Sequence, residues 1–317
     1  MDKDYVVGVD VGGQTTKIGI VDRRGDIVAQ TVISSKYGAD EGEKFMDAVC
    51  ETITTLASKI GMDNIQGVGI GAPNGNYYTG NVEFAPNLPW AKDHPVPLRQ
   101  YMSEKLGVPV TVTNDANAAA VGEMTYGAAR GMKNFITITL GTGVGSGIVI
   151  NGEVVYGHDG FAGELGHTIA VRNNGRLCGC GRAGCIEAYA SAIGVARTAR
   201  EWLNTGKYED SCLNDCQEIT SKDVFEAAVQ GDRLALDIFS FTGKILGQSF
   251  ADFIAFSAPE AIVVFGGLAR AGEFLFKPLR ESMNASLLSI WKNKVAVIPS
   301  ALKESDAAIL GASALAW

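Results

Sequence analysis

The chain has 317 residues, of which 46 % are hydrophobic and 20 % charged, with a formal net charge of −8. That length allows two domains, and the composition supports a sizeable core and argues against long disorder. The acidic balance, with no basic run, argues against nucleic acid and anionic membrane surfaces as partners.

The opening segment, Met1 to Val7, has neither a charged-then-apolar signal pattern nor an apolar run of about 20 residues, so a cytoplasmic location is expected. Tyr5 to Asp10 is apolar and β-branched and reads as a strand. Val11-Gly12-Gly13-Gln14-Thr15-Thr16-Lys17 carries a turn signal, and Ile18 to Val21 and Ile27 to Ile33 read as further strands around a turn at Arg24-Gly25. Residues 41–60 read as a helix, Gln66 to Gly71 as a buried strand ended by Ala72-Pro73-Asn74-Gly75, and Asn87 to Pro97 as loop. Val108 to Val112 predicts a strand, and Ala116 to Ala129 an alanine-rich helix.

The opening pattern then recurs. Phe135 to Leu140, Gly141-Thr142-Gly143-Val144-Gly145 and Ser146 to Ile150 repeat the order strand, Gly/Thr turn, strand about 130 residues after its first occurrence. That spacing is too long for a solenoid and fits two related lobes facing a shared cleft. Beyond the cysteine cluster the chain reads as mostly helical, except for the strand Ala261 to Phe265 running into Gly266-Gly267. Ser305 to Ala316 predicts a last helix capped by Ser305-Asp306.

Polyphosphates need converging backbone N–H donors, and glycine lets the backbone come close. Gly12 to Lys17 offers amides, two threonine hydroxyls and an ammonium, and Asp10 before it could hold Mg²⁺ through water. A plain β-turn is the alternative, but the second turn at Gly141–Gly145 and Gly266-Gly267 after a buried strand favour nucleotide binding. No Walker A loop is present. Gly179-x-Gly181-x-x-Gly184 matches a dinucleotide fingerprint but lies inside the cysteine cluster, and Gly67-x-Gly69-x-x-Ala72 runs into Pro73 instead of a helix, so neither qualifies.

His167, Cys178, Cys180 and Cys185 lie within nineteen positions and suffice for a closed tetrahedral zinc site of structural type. The other cysteines, Cys50, Cys212 and Cys216, read as reduced thiols; Cys212 and Cys216 have no further ligands near them in sequence. Glu164 and Glu187 flank the cluster. Ionised carboxylates only accept hydrogen bonds, which suits a hydroxyl-rich ligand such as a sugar, and His167 could ligate zinc with one nitrogen and meet the ligand with the other. Asn114-Asp115, between a strand and a helix, reads either as a helix cap or as a general base at a strand end.

Asp10-x-Gly12-Gly13, Asn114-Asp115, Gly141-Thr142-Gly143, Glu164-x-Gly166-His167 and Cys178-x-Cys180-Gly181-x-x-Gly184-Cys185-x-Glu187 together resemble the ROK family, in order over nearly the whole chain. The resemblance implies a two-lobed, actin-like (hexokinase-type, ribonuclease H-like) α/β fold with the zinc motif in the larger lobe. The expected division is 1–113, completed by the C-terminal helix 305–317, and 114–304. It also implies ATP- and Mg²⁺-dependent phosphorylation of a hexose, most like a bacterial glucokinase, by a homodimer. By position, Asp115 would take the proton of the sugar's 6-hydroxyl, while Asn87, Asn114, Glu164, His167 and Glu187 would bind the sugar. Gly12, Gly13, Thr15, Lys17, Gly141, Thr142 and Gly143 would face the phosphates, with Gly266 and Gly267 near the adenosine.

Two departures stand out: Gln14 occupies a position where the family usually has threonine, and Gly71-Ala72-Pro73-Asn74-Gly75 differs after the proline. Other hexoses (N-acetylmannosamine, N-acetylglucosamine, fructose, mannose) stay open, because pocket shape separates them. A sugar-responsive repressor would carry an added N-terminal helix-turn-helix, for which a strand starting at Tyr5 leaves no expectation. A non-catalytic zinc scaffold would not need Asn114-Asp115 and both glycine turns.

Overall fold

The computed structural model describes residues 3–317; Met1 and Asp2, part of the opening segment, lie outside the described residues. The chain divides into two units. Unit one takes the chain up to Lys133, then Gly147–Gly163 and Ser300–Trp317; unit two takes Asn134–Ser146 and Glu164–Pro299.

In unit one, alternation builds β1 (Tyr5–Val11), whose Val7, Val9 and Val11 enter one apolar cluster while Val6 enters another on the opposite face. Strands β2 (Thr15–Asp22), β3 (Ile27–Ser34), β4 (Ile65–Ala72) and β5 (Val110–Asn114) complete a sheet of order β3-β2-β1-β4-β5. The first three strands are antiparallel neighbours, whereas β1, β4 and β5 run parallel, so their C-terminal ends lie side by side.

Helix α1 (Gly42–Ala57) buries Phe45, Met46, Val49, Cys50 and Ile53, a 3.6-residue stripe, and Phe45 stacks on Trp90 at 4.3 Å. It is shorter than the expected 41–60 span; Gly61, with φ of 81°, lies beyond its end. Helix α2 (Leu98–Leu106) was not foreseen. It buries only Leu98 and Met102 and ends at Gly107 in the left-handed region, which delays the next strand to Val110.

Helix α3 (Asp115–Thr125) stops short of the expected Ala129. The N–H groups of Gly127 and Ala129 both turn back to the Glu123 carbonyl, and that of Ala128 goes to the Glu123 carboxylate. The expected boundary at residue 113 falls inside unit one, at the β5–α3 junction.

Strand β6 (Phe135–Leu140) belongs to unit two, and β7 (Val144–Ile150) carries the chain from unit two into unit one, where its end pairs antiparallel with β8 (Glu153–Val154). After the cysteine region come α4 (Glu187–Ala190), α5 (Ala192–Leu203), α6 (Ser221–Val229) and the 25-residue α7 (Arg233–Ser257). Strand β9 (Ala261–Phe265), α8 (Glu273–Ser286) and β10 (Ala296–Pro299) follow, and β10, β9 and β6 run parallel.

The chain ends in α9 (Glu304–Ala314), which returns to unit one. Its N-cap is Lys303 with no side-chain cap, so Ser305 and Asp306 lie inside the helix rather than capping it. It lies directly on the sheet: a Cβ at Gly8 or Gly69 would collide with the carbonyl oxygens of Ile309 and Ala312. Among the described residues no helix is long and apolar enough to cross a membrane.

Candidate functional site

In unit one, three parallel strands deliver their last residues to one edge. Asp10 stands opposite Gly71, and Ala72 opposite Asn114. Asn114 has extended backbone and caps α3: its Oδ1 accepts the Ala116 N–H at 2.8 Å, and Asp115 Oδ1 accepts the same N–H at 2.8 Å. Asn114 thus closes β5 and caps α3, and Asp115 opens the helix and shares the cap donor.

Asp115 keeps access to solvent, but protein surrounds it on most sides. The lost hydration pushes its pKa above the ordinary carboxylate value, while N–H groups of Ala116 and of Asp115 itself pull the other way. Asp10 is pushed up to about 6, first by burial and then by the charge of Asp115; Lys17, opposite it across the β1–β2 hairpin, partly offsets this. The two carboxylates, within range of one another, offer oxygens to the waters of a hydrated divalent cation, while the Lys17 ammonium suits an anionic group instead.

The β1–β2 turn closes on itself, with the Gly12 N–H donating to the Thr15 carbonyl at 3.0 Å. Asn87 is exposed, and its backbone lies against Gly13, where a Cβ would come within 3.2 Å of the Asn87 carbonyl oxygen. Of the two hydroxyls expected at the phosphates, only Thr15 is exposed. Thr16 is buried, with its Oγ1 2.7 Å from Ser35 Oγ.

In unit two, the Gly141–Gly143 turn follows β6. The Gly141 N–H donates to the Gly143 carbonyl at 3.0 Å, and the Gly141 carbonyl accepts from the Ala192 N–H at 2.8 Å. Thr142 is exposed. Gly266, with φ of 108°, sits against the Leu140 carbonyl, leaving no room for a side chain, so Gly266-Gly267 adjoin this turn at the ends of neighbouring parallel strands. Ligands of open α/β sheets bind at such carboxyl ends.

The four expected ligands converge: the donor atoms of His167, Cys178, Cys180 and Cys185 lie within 4.8 Å of one another. Cys180 Sγ is 3.7 Å from Cys185 Sγ, and His167 Nδ1 is 3.8 Å from Cys178 Sγ. Zn–S bonds of ~2.3 Å in a tetrahedron put sulfurs about 3.8 Å apart, so the spacing fits zinc and not a disulfide. All six cysteines are free thiols, and Cys212 and Cys216 join no such cluster among the described residues. With Nδ1 toward the thiols, His167 turns Nε2 toward Glu164, 4.0 Å from its Oε2. Glu187 Oε2 accepts the Val144 N–H at 2.9 Å, and its Oε1 is 3.5 Å from Cys178 Sγ.

Sequence reasoning missed a second clasp on the cysteine loop. The Arg176 guanidinium donates to Glu201, to the carbonyls of Ala188 and Gly194 and to Thr198, and it lies 4.7 Å over the Tyr189 ring. A single arginine in a loop carries no signal of such a role; its partners are 12 to 25 residues away.

The ROK family profile matches residues 6–317. The chain is 37 % identical to a glucokinase of Thermotoga maritima over 99 % of this chain and 98 % of that protein. It is 30 % identical to a xylose repressor of Caldicellulosiruptor bescii over 89 % of this chain and 71 % of the repressor. Among solved structures it resembles a ROK family glucokinase from Streptomyces griseus in complex with glucose and AMPPNP, with a TM-score of 0.79 and 36 % identity over 98 % of each chain.

Proposed function

This chain belongs to the ROK family, and from that premise we propose that it transfers the γ-phosphoryl group of ATP to the 6-hydroxyl of glucose, with Asp115 as general base. The observation that carries the reading is the likeness, over nearly the full length of both chains, to the Streptomyces griseus glucokinase bound to glucose and AMPPNP. The repressor likeness favours no DNA-binding reading, since a net charge of −8 does not attract phosphate backbones.

A carboxylate pushed up by lost hydration holds a proton more firmly than an exposed one, which suits proton acceptance from a hydroxyl. As the 6-oxygen bonds to the γ-phosphorus and the bond to ADP breaks, the hydroxyl proton passes to Asp115. Asn114 uses its Oδ1 on the helix cap, leaving its amide NH₂ for a sugar oxygen. Glu164 and Glu187 accept from sugar hydroxyls, His167 reaches the sugar with Nε2, and Asn87 adds a contact.

The N–H groups of Gly12 and Gly141 close their own turns, so phosphate contacts fall to Gly13, Thr15, Lys17, Thr142 and Gly143, with Gly266 and Gly267 beside the adenosine. Asp10 would hold Mg²⁺, which would neutralise phosphate charge. Zinc on His167 Nδ1, Cys178, Cys180 and Cys185 would have no open position and would supply shape rather than Lewis acidity. A cytoplasmic homodimer belongs to the same proposal, and light scattering checks the assembly.

The test is turnover of a hexose panel with ATP and Mg²⁺, followed by ADP release. Glucose should give the highest kcat/KM. Preference for N-acetylmannosamine or another hexose would move the assignment to that sugar, and no turnover of any hexose would reject it. Cys185→Ser should abolish a zinc content of about one per chain and raise the KM for glucose about tenfold. Unchanged zinc content or KM would reject the clasp.

A further inference from the structure

Glu187 is the first residue of α4 and follows Cys185 by two positions. Its two carboxylate oxygens face different neighbours: Oε1 lies toward Cys178, and Oε2 accepts the N–H of Val144, the residue that ends the Gly141–Gly143 turn. Val144 is buried, so without Glu187 its N–H could not turn to bulk water. The other end of the turn is held by the same stretch of chain, since the Ala192 N–H donates to the Gly141 carbonyl. Gly143 lets the carboxylate pack directly on the turn, because a methyl there would collide with Glu187 Oε2. The segment from Glu187 to Ala192 therefore clamps both ends of the turn and starts beside a cluster thiol.

We infer that Glu187 is a positioning residue for the nucleotide turn as well as a sugar ligand, and that it couples the two substrates. This rests on the proposed kinase function, in which the turn faces phosphates and Glu187 faces the sugar. A carboxylate offers about four acceptor sites, so a sugar hydroxyl on Oε1 and the Val144 N–H on Oε2 can be served together. The hydroxyl fixes the carboxylate in the rotamer that holds the turn, so glucose binding tightens nucleotide binding. By linkage, nucleotide binding tightens glucose binding by the same factor.

The experiment is calorimetric titration of the full chain with AMPPNP and Mg²⁺, with and without saturating glucose. Wild type should bind AMPPNP at least about fivefold more tightly with glucose present. Glu187→Ala should weaken sugar-free AMPPNP binding about tenfold and abolish the glucose effect. Glu187→Gln keeps a carbonyl acceptor for Val144, so its sugar-free AMPPNP affinity should stay within about twofold of wild type while its glucose affinity falls. A residue that only stabilised the fold would not separate the two ligands in this way. Glu187→Ala binding sugar-free AMPPNP as tightly as wild type overturns the inference. If that variant does not fold, Gly143→Ala, whose methyl displaces Oε2, should weaken both ligands; unchanged affinities overturn the inference equally. Wild type that turns over glucose but shows no glucose effect on AMPPNP overturns the coupling alone, whereas wild type that binds no nucleotide overturns the kinase reading with it.

Discussion

Unit one and unit two both place carboxylates beside the turn or helix that follows a parallel strand, yet they treat them in opposite ways. In unit one, Asp10 and Asp115 are crowded, repel one another and are pushed up in pKa, with Lys17 as a partial offset. In unit two, Glu187 is tied by a backbone N–H on one oxygen and lies against a thiol of the cluster on the other. Crowded acids with raised pKa values are suited to taking a proton or attracting a cation. An acid held by a fixed backbone N–H is suited to holding shape. On the proposed function, the same side-chain chemistry would serve reaction in one unit and architecture in the other.

The hardest blow to this contrast would come from Asp115→Asn. It should lower kcat by about 10²- to 10⁴-fold with glucose affinity kept; comparable turnover would make Asp115 another architectural acid. Asp10→Asn tests the cost of crowding. From its ordinary value of 3.8 up to about 6 the folded chain binds more protons than the unfolded one. The relative stability is therefore full below pH 3.8 and is lost as pH rises through about 6. In metal-free buffer at pH 8, Asp10→Asn should then be more stable than wild type by up to about 3 kcal/mol, with the difference gone near pH 4. Equal denaturation midpoints at pH 8 would mean that Asp10 is not strained.

On the architectural side, Arg176→Leu should lower stability by about 2 kcal/mol, less than a fully buried pair would because Glu201 keeps water and Arg197. It should raise the KM for glucose while leaving the KM for ATP less affected. A change in stability with no change in the glucose constant would reduce Arg176 to a scaffold residue. The smallest effect separates the two neighbouring hydroxyls. Thr16→Val should cost about 1 kcal/mol by leaving Ser35 without its partner, with turnover kept, whereas Thr15→Val should lower kcat/KM for ATP with stability unchanged. Reversed outcomes would relocate the phosphate-side hydroxyl.

Strands such as β1 and β9 were legible because Val6 to Val11 and Ala261 to Phe265 carry β-branched side chains in short runs, and α1 because its apolar residues recur at helical spacing; the four-residue β10, in a stretch read as helical, was missed because it is too short to show a period. The convergence of His167, Cys178, Cys180 and Cys185 was legible because these residue types are rare and near in sequence. What stayed hidden was made by backbone or by distant partners. The Val144 N–H that holds Glu187 belongs to a residue whose side chain says nothing of the bond, and Arg176 finds Glu201 across 25 residues. Helix α2 hid because it buries two apolar residues only, and the end of α3 was misjudged because Glu123 draws the following residues back onto its carbonyl and carboxylate. Spacing alone offered both threonine hydroxyls, and the family resemblance chose Thr15; β2 turns Thr16 inward onto Ser35.

The account stands on phosphoryl transfer from ATP to one particular oxygen of a hexose. Its most direct test is phosphorus NMR of the products after limited turnover of ATP with glucose and Mg²⁺. The expected result is glucose 6-phosphate and ADP in equal amounts. ATP cleaved to free phosphate, phosphate on another sugar oxygen, or ATP left intact would contradict it.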